Sequence, residues 1–322
     1  MASTTRQALL QALSAAEGAY ISGQQLAQQL GVSRAAVHKA AAALTAQGYA
    51  LEAASRRGYR LLGGDPFCTE AVGPYPAPVQ LYDTLESTNR TAKLLALEGA
   101  AHGTLVLAGG QTAGRGRLGR SFASPAGKGV YCSVVLRPPL PAANAQTATI
   151  GAAVAVCRAV QMLCGLELAI KWVNDLYYKG KKVCGILTEA ALDLESGMLD
   201  YAVLGLGFNV AAPADGWPED LRDVAGALYD GSPAPGARAA LAAAFLNAFW
   251  PLYRAGPRSG YLDEYRRRQA LAGQRVLVTP RRGTPRAAQV QGIDDECKLV
   301  VRFDGESRPA ALNSGEVSVR LL

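Results

Sequence analysis

The sequence predicts an α+β protein built from three parts, and three observations support this fold class. The chain has 322 residues, enough for two or three domains. Residues 1–62 combine helical spacing with two short strand-like runs, and residues 79–272 alternate strand-like and helical patterns. Residues 273–322 contain short alternating strands broken by Gly, Pro and Asp, which favours a small β-barrel of the SH3-like type.

Composition places the chain among ordinary folded proteins, with 49% hydrophobic and 18% charged residues. The net charge of +7 is uneven, because residues 1–62 carry six basic and two acidic side chains, a balance of +4. This basic excess at the N-terminus could neutralise phosphates.

Several classes of protein are disfavoured. The six cysteines include no CxxC pair, which is typical of free thiols in a reducing compartment. Only His38 and His102 are present, without an HExxH motif, so a resident metal site or a His-dependent triad has few candidates. Apolar runs at 150–157 and 241–250 fall short of the roughly 20 residues of a membrane span, and no secretion leader is evident, so we expect a cytoplasmic protein without a transmembrane helix.

The N-terminal part is predicted to be a winged helix-turn-helix. Ser22 is placed to cap one helix, Gly31 permits a tight turn, and Ser33 is placed to cap the next helix. That second helix buries Val37, Ala41 and Leu44 and exposes a basic face, the geometry of a recognition helix in the major groove. The candidate DNA-binding residues are Ser33, Arg34, Ala35, His38, Lys39, Arg56 and Arg57.

Residues 49–62 are predicted to form the wing, two short strands around a turn at 55–58. Arg56 and Arg57 lie at its tip, which suits contacts to backbone phosphates. Taken singly, Arg56 and Arg57 are also compatible with a solvated hairpin turn, and His38 is also compatible with a half-exposed helix residue that has no function. A helix-turn-helix can also serve as a protein docking unit.

Residues 63–78 have four prolines and no periodicity, and are predicted to be a linker. Beyond it, a catalytic domain is expected at 79–272 and a separate C-terminal domain at 273–322. The expected strands are 79–85, 103–111, 129–138, 168–178, 182–192 and 201–210, and the expected helices are 88–99, 148–163 and a stretch within 238–270.

The segment 109–120, GGQTAGRGRLGR, is the most informative in the chain. It has five glycines and three arginines, which predict a loop whose amides approach a phosphate or carboxylate closely. It matches neither a Walker A loop nor a dinucleotide-binding fingerprint, since no GxxxxGK[ST] is present and no helix follows. A basic surface hairpin is the alternative.

Two further segments indicate a ligand site. Asp175 and Lys182 lie across a predicted hairpin and can face one cleft, although a structural ion pair or a solvated turn would look the same. Residues 205–209, GLGFN, alternate small and apolar residues, as in a strand against which a ligand lies closely.

Taken together, these blocks resemble the biotin-protein ligase family, specifically the bifunctional type that also acts as biotin operon repressor. The resemblance extends over nearly the whole chain, in the order GYRLL, ESTN at 86–89, Gln111, GRGRLGR, SPAGKGVY, KWVNDLY, KVCGILTE, GLGFN and GEVSVR. The pair GRGRxGR and KWxND separates this family from lipoate ligases, which share the fold.

The resemblance implies a biotin ligase-type catalytic domain with a mixed sheet, and a two-step reaction. Biotin and MgATP give biotinyl-5′-adenylate and pyrophosphate, and the biotinyl group then passes to a lysine of the biotin carboxyl carrier protein. It also implies a homodimer that binds operator DNA with the adenylate as corepressor. Open alternatives are a transcription factor that only senses biotin, and a ligase for another acid such as lipoate or octanoate.

The resemblance also implies residue roles. Ser87, Thr88, Asn89 and Gln111 would bind the ureido ring of biotin, and Trp172 would line the apolar slot. The implied catalytic residues are Arg115, Arg117, Lys182 and Asp175, with Asp175 orienting the acceptor amine first and acting as a base second. The full biotin set adds Arg115, Gly116, Arg117, Lys182 and Gly185; the adenylate set is Arg117, Arg120, Phe122, Asn174, Asn209 and Arg320.

This sequence departs from the family pattern at three places. Val173 stands where a proline is usual, and Phe122 replaces a tryptophan. His38 and Ala35 lie where base contacts are expected, so an operator sequence cannot be transferred from relatives.

Overall fold

A computed structural model describes residues 5–46, 49–64, 72–73, 75–137, 145–192, 198–231, 233–256, 260–281, 283–314 and 317–322. The chain divides into two compact units, one of residues 1–73 with 232–240 and the other of residues 74–231 with 241–322. The sequence also predicts that Gly48 ends the recognition helix; this residue and half of the predicted linker, residues 65–71 and 74, lie outside the described residues.

The first unit contains the predicted winged helix-turn-helix. Its elements are α1 Thr5–Ala15, α2 Gly23–Leu30, α3 Arg34–Ala46, β1 Ala50–Ala54 and β2 Gly58–Gly63. Local capping sets the helix starts: Ser22 and Gln25 exchange hydrogen bonds between side chain and backbone, and the Ala36 amide donates to Ser33 Oγ at 3.1 Å. Gly31 ends α2 in the left-handed conformation, with φ 64°.

A close backbone contact positions the wing. The backbones of Ile21 and Tyr59 exchange two hydrogen bonds of 2.9 Å. A Cβ at Gly58 would lie 2.1 Å from the Ile21 carbonyl oxygen, and Gly58 has φ +99°. Only glycine fits there, so the wing is held against the chain that leads into α2.

The second unit contains a mixed seven-stranded sheet in the order β3-β4-β5-β9-β8-β7-β6. The β3–β4 pair is parallel and the other pairs are antiparallel. The strands are β3 Val79–Leu85, β4 Leu105–Gln111, β5 Gly129–Leu136, β6 Ala169–Lys171, β7 Asp175–Tyr178, β8 Lys181–Leu192 and β9 Leu199–Asn209. The other α-helices among the described residues are α4 Thr88–Leu97, α5 Ala145–Cys164, α6 Ala237–Ala255 and α7 Tyr261–Arg267.

The strand predicted at 168–178 is wrong, since β6 and β7 are separate strands joined by a turn at 172–174. The Trp172–Val173 peptide bond in this turn is cis. The turn is held by distant groups, because the Trp172 amide donates to Gln269 Oε1 at 3.0 Å and the Tyr265 hydroxyl donates to the Val173 carbonyl at 3.0 Å. An apolar run by itself does not reveal such a turn.

One helix in the described part of the chain, over Gln146–Cys164, is long and apolar enough to cross a membrane by length and composition alone. The sequence-based expectation missed it because Arg158 interrupts the apolar run. Of this stretch 67% is buried inside the protein, and core helices pass the same test. Its packing is therefore that of a core helix.

The C-terminal strands form a five-stranded antiparallel sheet in the order β13-β12-β11-β10-β14. They are β10 Arg275–Pro280, β11 Arg286–Ile293, β12 Leu299–Phe303, β13 Ala310–Leu312 and β14 Val317–Leu321. Alternate residues such as Val276, Val278 and Val290 are buried, as the period-2 pattern predicts. Closure of this sheet into an SH3-like barrel stays a prediction.

Candidate functional site

A cavity lies on the seven-stranded sheet and encloses about 440 Å³ of space, part of which is open solvent. Six segments form it: the start of α4, the end of β4, the glycine- and arginine-rich loop, the turn before β7, strand β8 and strand β9. Its lining residues are Ser87, Thr88, Asn89, Gln111, Arg115, Gly116, Arg117, Phe122, Asn174, Lys182, Gly185, Ile186, Leu187, Gly205, Leu206 and Gly207. Segments more than 100 residues apart in sequence thus meet at one place.

Glycines of β8 and β9 form the floor of the cavity. Gly185 and Gly207 are paired across the two strands, and a Cβ at Gly207 would lie 2.6 Å from the Phe122 ring. A Cβ at Gly205 would lie 1.9 Å from Asn89 Oδ1. The glycines are needed because side chains of the protein itself approach the strand backbone directly. That a ligand lies against GLGFN stays a prediction.

One wall of the cavity is polar and uncharged. Ser87 is the N-cap of α4, but its side chain makes no capping hydrogen bond. The amide and hydroxyl of Thr88 donate to Gln111 Oε1 at 2.8 and 3.1 Å, and Gln111 Nε2 donates to Ser124 Oγ at 2.8 Å. The wall thus offers hydroxyl and amide groups of the kind that recognise a neutral polar ring.

The arginine-rich loop is folded over the cavity rather than extended. The Gly116 amide donates to the Arg120 carbonyl at 2.7 Å, and the Phe122 amide donates to the Gly114 carbonyl at 2.9 Å. Leu118, at the tip, has φ 58°. The loop therefore has a defined hairpin-like path that brings Arg117 into the cavity wall.

Arg117 is the most firmly held cation of the site. Its Nη1 donates to Asn174 Oδ1 at 3.1 Å, and its Nη2 donates to the Ser314 carbonyl. Burial lowers its pKa, but a guanidinium stays charged at neutral pH. Arg115 lies at the rim, with 53% of its side chain exposed and 3.8 Å from Glu86.

Asp175 and Lys182 meet at the edge of the cavity. Lys182 Nζ lies 2.7 Å from Asp175 Oδ1, with about a quarter of each side chain exposed. Asn174 Nδ2 donates to Asp175 Oδ1 at 3.0 Å and to the Ile186 carbonyl at 2.9 Å. The predicted facing of Asp175 and Lys182 is present in the structure, where the two form an ion pair.

Four of the expected ligand residues do not line the cavity. Trp172 is buried but does not line the cavity, and its Nε1 donates to the Cys297 carbonyl at 3.1 Å. Arg120 Nη2 donates to Ser318 Oγ at 3.3 Å, and Arg320 is exposed on β14. Asn209 is buried, and its Oδ1 has no hydrogen-bond partner within the described residues.

Sequence reasoning missed three polar residues around the site. Ser133 is fully buried in the otherwise apolar β5, with its hydroxyl 2.8 Å from Thr88 Oγ1. Lys171 has its pKa lowered chiefly by burial, an effect that nearby Asp175 opposes. Glu189 contacts Asn89. Of these, Ser133 carried a signal, a polar residue inside the run GVYCSVVL.

In the N-terminal unit, Arg34, Ala35, His38 and Lys39 are exposed on α3, as predicted. In the wing, the Arg57 guanidinium lies 4.3 Å from the centre of the Tyr20 ring. Arg60 is paired with Glu52 at 2.6 Å, so a carboxylate already neutralises its charge. The α3 face and the tip arginines form the candidate DNA interface.

Comparison with known proteins identifies the same two parts. Residues 81–209 match the biotin/lipoate A/B protein ligase family, and residues 5–60 match a helix-turn-helix domain family. The bifunctional ligase/repressor BirA of Bacillus spizizenii is 37% identical over 261 residues, which cover 79% of this chain and 80% of that protein. The Escherichia coli BirA is 31% identical over 202 residues, covering 61% of each.

A solved structure has the same fold as this chain. The biotin protein ligase of Aquifex aeolicus, in complex with biotin and ATP, superposes with a TM-score of 0.61 at 23% identity, covering 76% of this chain and 99% of that one. With the sequence matches, the family is established. The chain belongs to the bifunctional biotin ligase/repressors: it is a biotin–[acetyl-CoA-carboxylase] ligase with an N-terminal helix-turn-helix domain.

Proposed function

We propose that the protein joins biotin to ATP in the cavity on β8 and β9, forming biotinyl-5′-adenylate and pyrophosphate. It then transfers the biotinyl group to a lysine of the biotin carboxyl carrier protein. With the adenylate bound, it represses transcription from operator DNA as a homodimer. The observation that carries the ligase proposal is one cavity with a neutral polar wall at Ser87, Thr88 and Gln111 and cations at Arg117 and Lys182.

In the first step a biotin carboxylate oxygen forms a bond to the α-phosphorus of ATP, and the bond to pyrophosphate breaks. The carboxylate is already ionised at pH 7, so no general base is needed. The barrier arises from repulsion between two anions and from the in-line geometry. Arg115, Arg117 and Lys182 supply positive charge for this purpose, and Mg²⁺ enters as part of the MgATP substrate.

In the second step the acceptor amine attacks the acyl carbon of the adenylate, and AMP leaves. The amine has a reference pKa near 10.4, so it must lose a proton before or during attack. Asp175 is the carboxylate beside the cationic end of the cavity, and its Oδ1 is engaged by Lys182. We assign Asp175 the orientation of the incoming ammonium first and proton acceptance second.

The remaining adenylate roles are proposals of the same kind. Phe122 lies over the glycine floor, where its ring could pack against the ligand. Arg120, Asn209 and Arg320 would reach the nucleotide from outside the cavity lining. Trp172 has no such proposal, since it faces away from the cavity.

The N-terminal unit is proposed to bind operator DNA. Ser33, Arg34, Ala35, His38 and Lys39 lie at the start of α3, where a recognition helix reads bases. Arg56 and Arg57, at the tip of the wing, would contact phosphates. A homodimer is expected because paired half-sites match a two-fold protein, and the expected location is the cytoplasm.

The test uses the purified full chain with labelled biotin, MgATP and apo carrier protein. Labelled carrier protein supports the proposal. Labelled adenylate without carrier labelling would indicate a biotin-sensing repressor, and labelling by lipoate or octanoate instead of biotin would indicate a ligase for another acid. Binding to DNA from the host's biotin genes, with and without biotin and MgATP, tests the corepressor role.

A further inference from the structure

The side-chain amide of Asn89 is committed to the protein, although it lies in the cavity wall. Its Oδ1 accepts from the Ser133 hydroxyl at 2.7 Å. Its Nδ2 donates to the Leu187 carbonyl at 3.2 Å and to Glu189 Oε2 at 3.0 Å. A primary amide has only two N–H donors, so both are in use. Asn89 is therefore a cross-link between α4 and the sheet.

Glu189 contacts α4 at two positions one turn apart. Oε2 accepts from Asn89, and Oε1 accepts from Lys93 Nζ at 3.1 Å. Residues four apart lie on the same face of a helix, so one carboxylate on β8 holds the first turn of α4 and the turn after it. Neither Glu189 nor Lys93 lines the cavity.

The Asn89 amide also packs against the backbone of the sheet. A Cβ at Gly205 would lie 1.9 Å from its Oδ1, so the amide is packed directly on the β9 backbone. The Ser133 hydroxyl also lies 2.8 Å from Thr88 Oγ1, so Thr88 and Asn89 contact the same side chain. The start of α4, which carries the cavity hydroxyls of Ser87 and Thr88, is thus set by contacts behind the cavity wall.

We propose that Glu189 is a positioning residue for the biotin site: by holding Asn89 and Lys93 it fixes the first turn of α4, and so the Ser87 and Thr88 hydroxyls that face the ligand. This rests on the proposed biotin site. The effect acts through α4, because the contacts of Glu189 go to α4, whereas the cations of the cavity lie on the arginine-rich loop and, at Lys182, near the opposite end of β8. Biotin binding therefore depends on Glu189, whereas ATP binding does not.

The experiment measures biotin and ATP binding separately, by calorimetry on the full chain. Glu189→Ala should weaken biotin binding about tenfold, the effect of losing one hydrogen bond to a charged group, and leave ATP binding within about twofold. Glu189→Gln retains an acceptor for Asn89 and should recover most of the affinity. Asp200→Ala is the matched control, since Asp200 is a carboxylate on β9 paired with Arg137 at 3.5 Å, away from the cavity.

Amide hydrogen exchange of the start of α4 gives a readout independent of ligand. Faster exchange at residues 91–94, whose amides donate to the carbonyls of residues 87–90, in Glu189→Ala than in wild type and Asp200→Ala supports the inference. Wild-type biotin affinity in Glu189→Ala, equal weakening of biotin and ATP, or a Gln variant as weak as Ala would overturn it. If the Ala variant does not fold, Glu189→Asp, which is too short to reach Asn89, is measured against the same criteria. If the wild-type chain binds no biotin, the proposed function is wrong; hydrogen exchange then tests separately whether Glu189 fixes the first turn of α4.

Discussion

Replacement of Arg117 tests the proposed chemistry most directly. Arg117→Ala removes a half-buried guanidinium that donates to Asn174 Oδ1 and to the Ser314 carbonyl. Asn174 keeps its bonds to Ile186 and Asp175, so the turn at 172–174 should stay folded. We expect the main loss to fall on the bound adenylate, whose phosphate would be left without this donor.

The expected magnitude follows from the contacts. A hydrogen bond to a charged group contributes roughly 1.5–3 kcal/mol, and Arg117 has two donor arms in place. Because the guanidinium also donates to Asn174 and Ser314 of the protein, we expect Arg117→Ala to cost the bound adenylate about 2–3 kcal/mol of binding free energy. At about 1.4 kcal/mol per factor of ten, adenylate should leave roughly 30- to 150-fold faster.

The assay forms labelled biotinyl-adenylate on the enzyme and follows its release into an excess of unlabelled biotin and MgATP. Arg117→Lys keeps the charge but not the forked geometry, and should release at an intermediate rate. Arg286→Ala, which removes an exposed arginine paired with Glu306, is the control. An unchanged release rate in a folded Arg117→Ala protein would refute the assignment.

Three further predictions concern other parts of the molecule. Arg57→Ala should weaken DNA binding across sequences and reduce the slope of log affinity against log salt concentration by about 1. Arg60→Ala should change this slope less, because Glu52 already neutralises Arg60. Equal slopes in wild type and both variants would show that Arg57 is not in the interface. Asp175→Asn should slow biotinyl transfer from preformed adenylate about tenfold or more and slow adenylate formation less, when each step is followed in a single turnover. Equal slowing of both steps would mean that Asp175 acts only by holding Lys182 in place. Burial lowers the pKa of His102 below 6.5, and its Nδ1 accepts a backbone hydrogen bond. The unfolded chain therefore takes up the proton first, and the stability of the fold should fall as the pH drops through about 6.5 toward the folded-state pKa. In thermal melts the melting temperature should fall less for His102→Gln than for wild type over this range, and an equal fall in both proteins would contradict the prediction.

Features that depend on neighbouring residues were predictable from the sequence. The cap at Ser33 and the turn at Gly31 indicate α2 and α3, and the structure contains them. The strand predicted at 79–85 has the bounds of β3. Each of these depends on groups within a few positions along the chain, which is the range over which periodicity and capping act.

The sequence predicted which residues meet at the candidate site better than it predicted their positions there. The glycine- and arginine-rich loop, the start of α4 and Lys182 meet at one cavity, as the resemblance implied. Trp172 does not line this cavity; Tyr265 of α7 and Gln269, two residues after α7, hold the turn at 172–174. No pattern near residue 172 records a partner almost 100 residues later.

By itself the sequence determined the winged helix-turn-helix, most strand positions and most of the residues that line the cavity. Only the tertiary structure decided that Asn89 is bound by Ser133 and Glu189, and that Arg117 contacts Asn174. The physical reason is that capping and periodicity arise from bonded neighbours, whereas these contacts depend on which strands and loops the folded sheet places side by side.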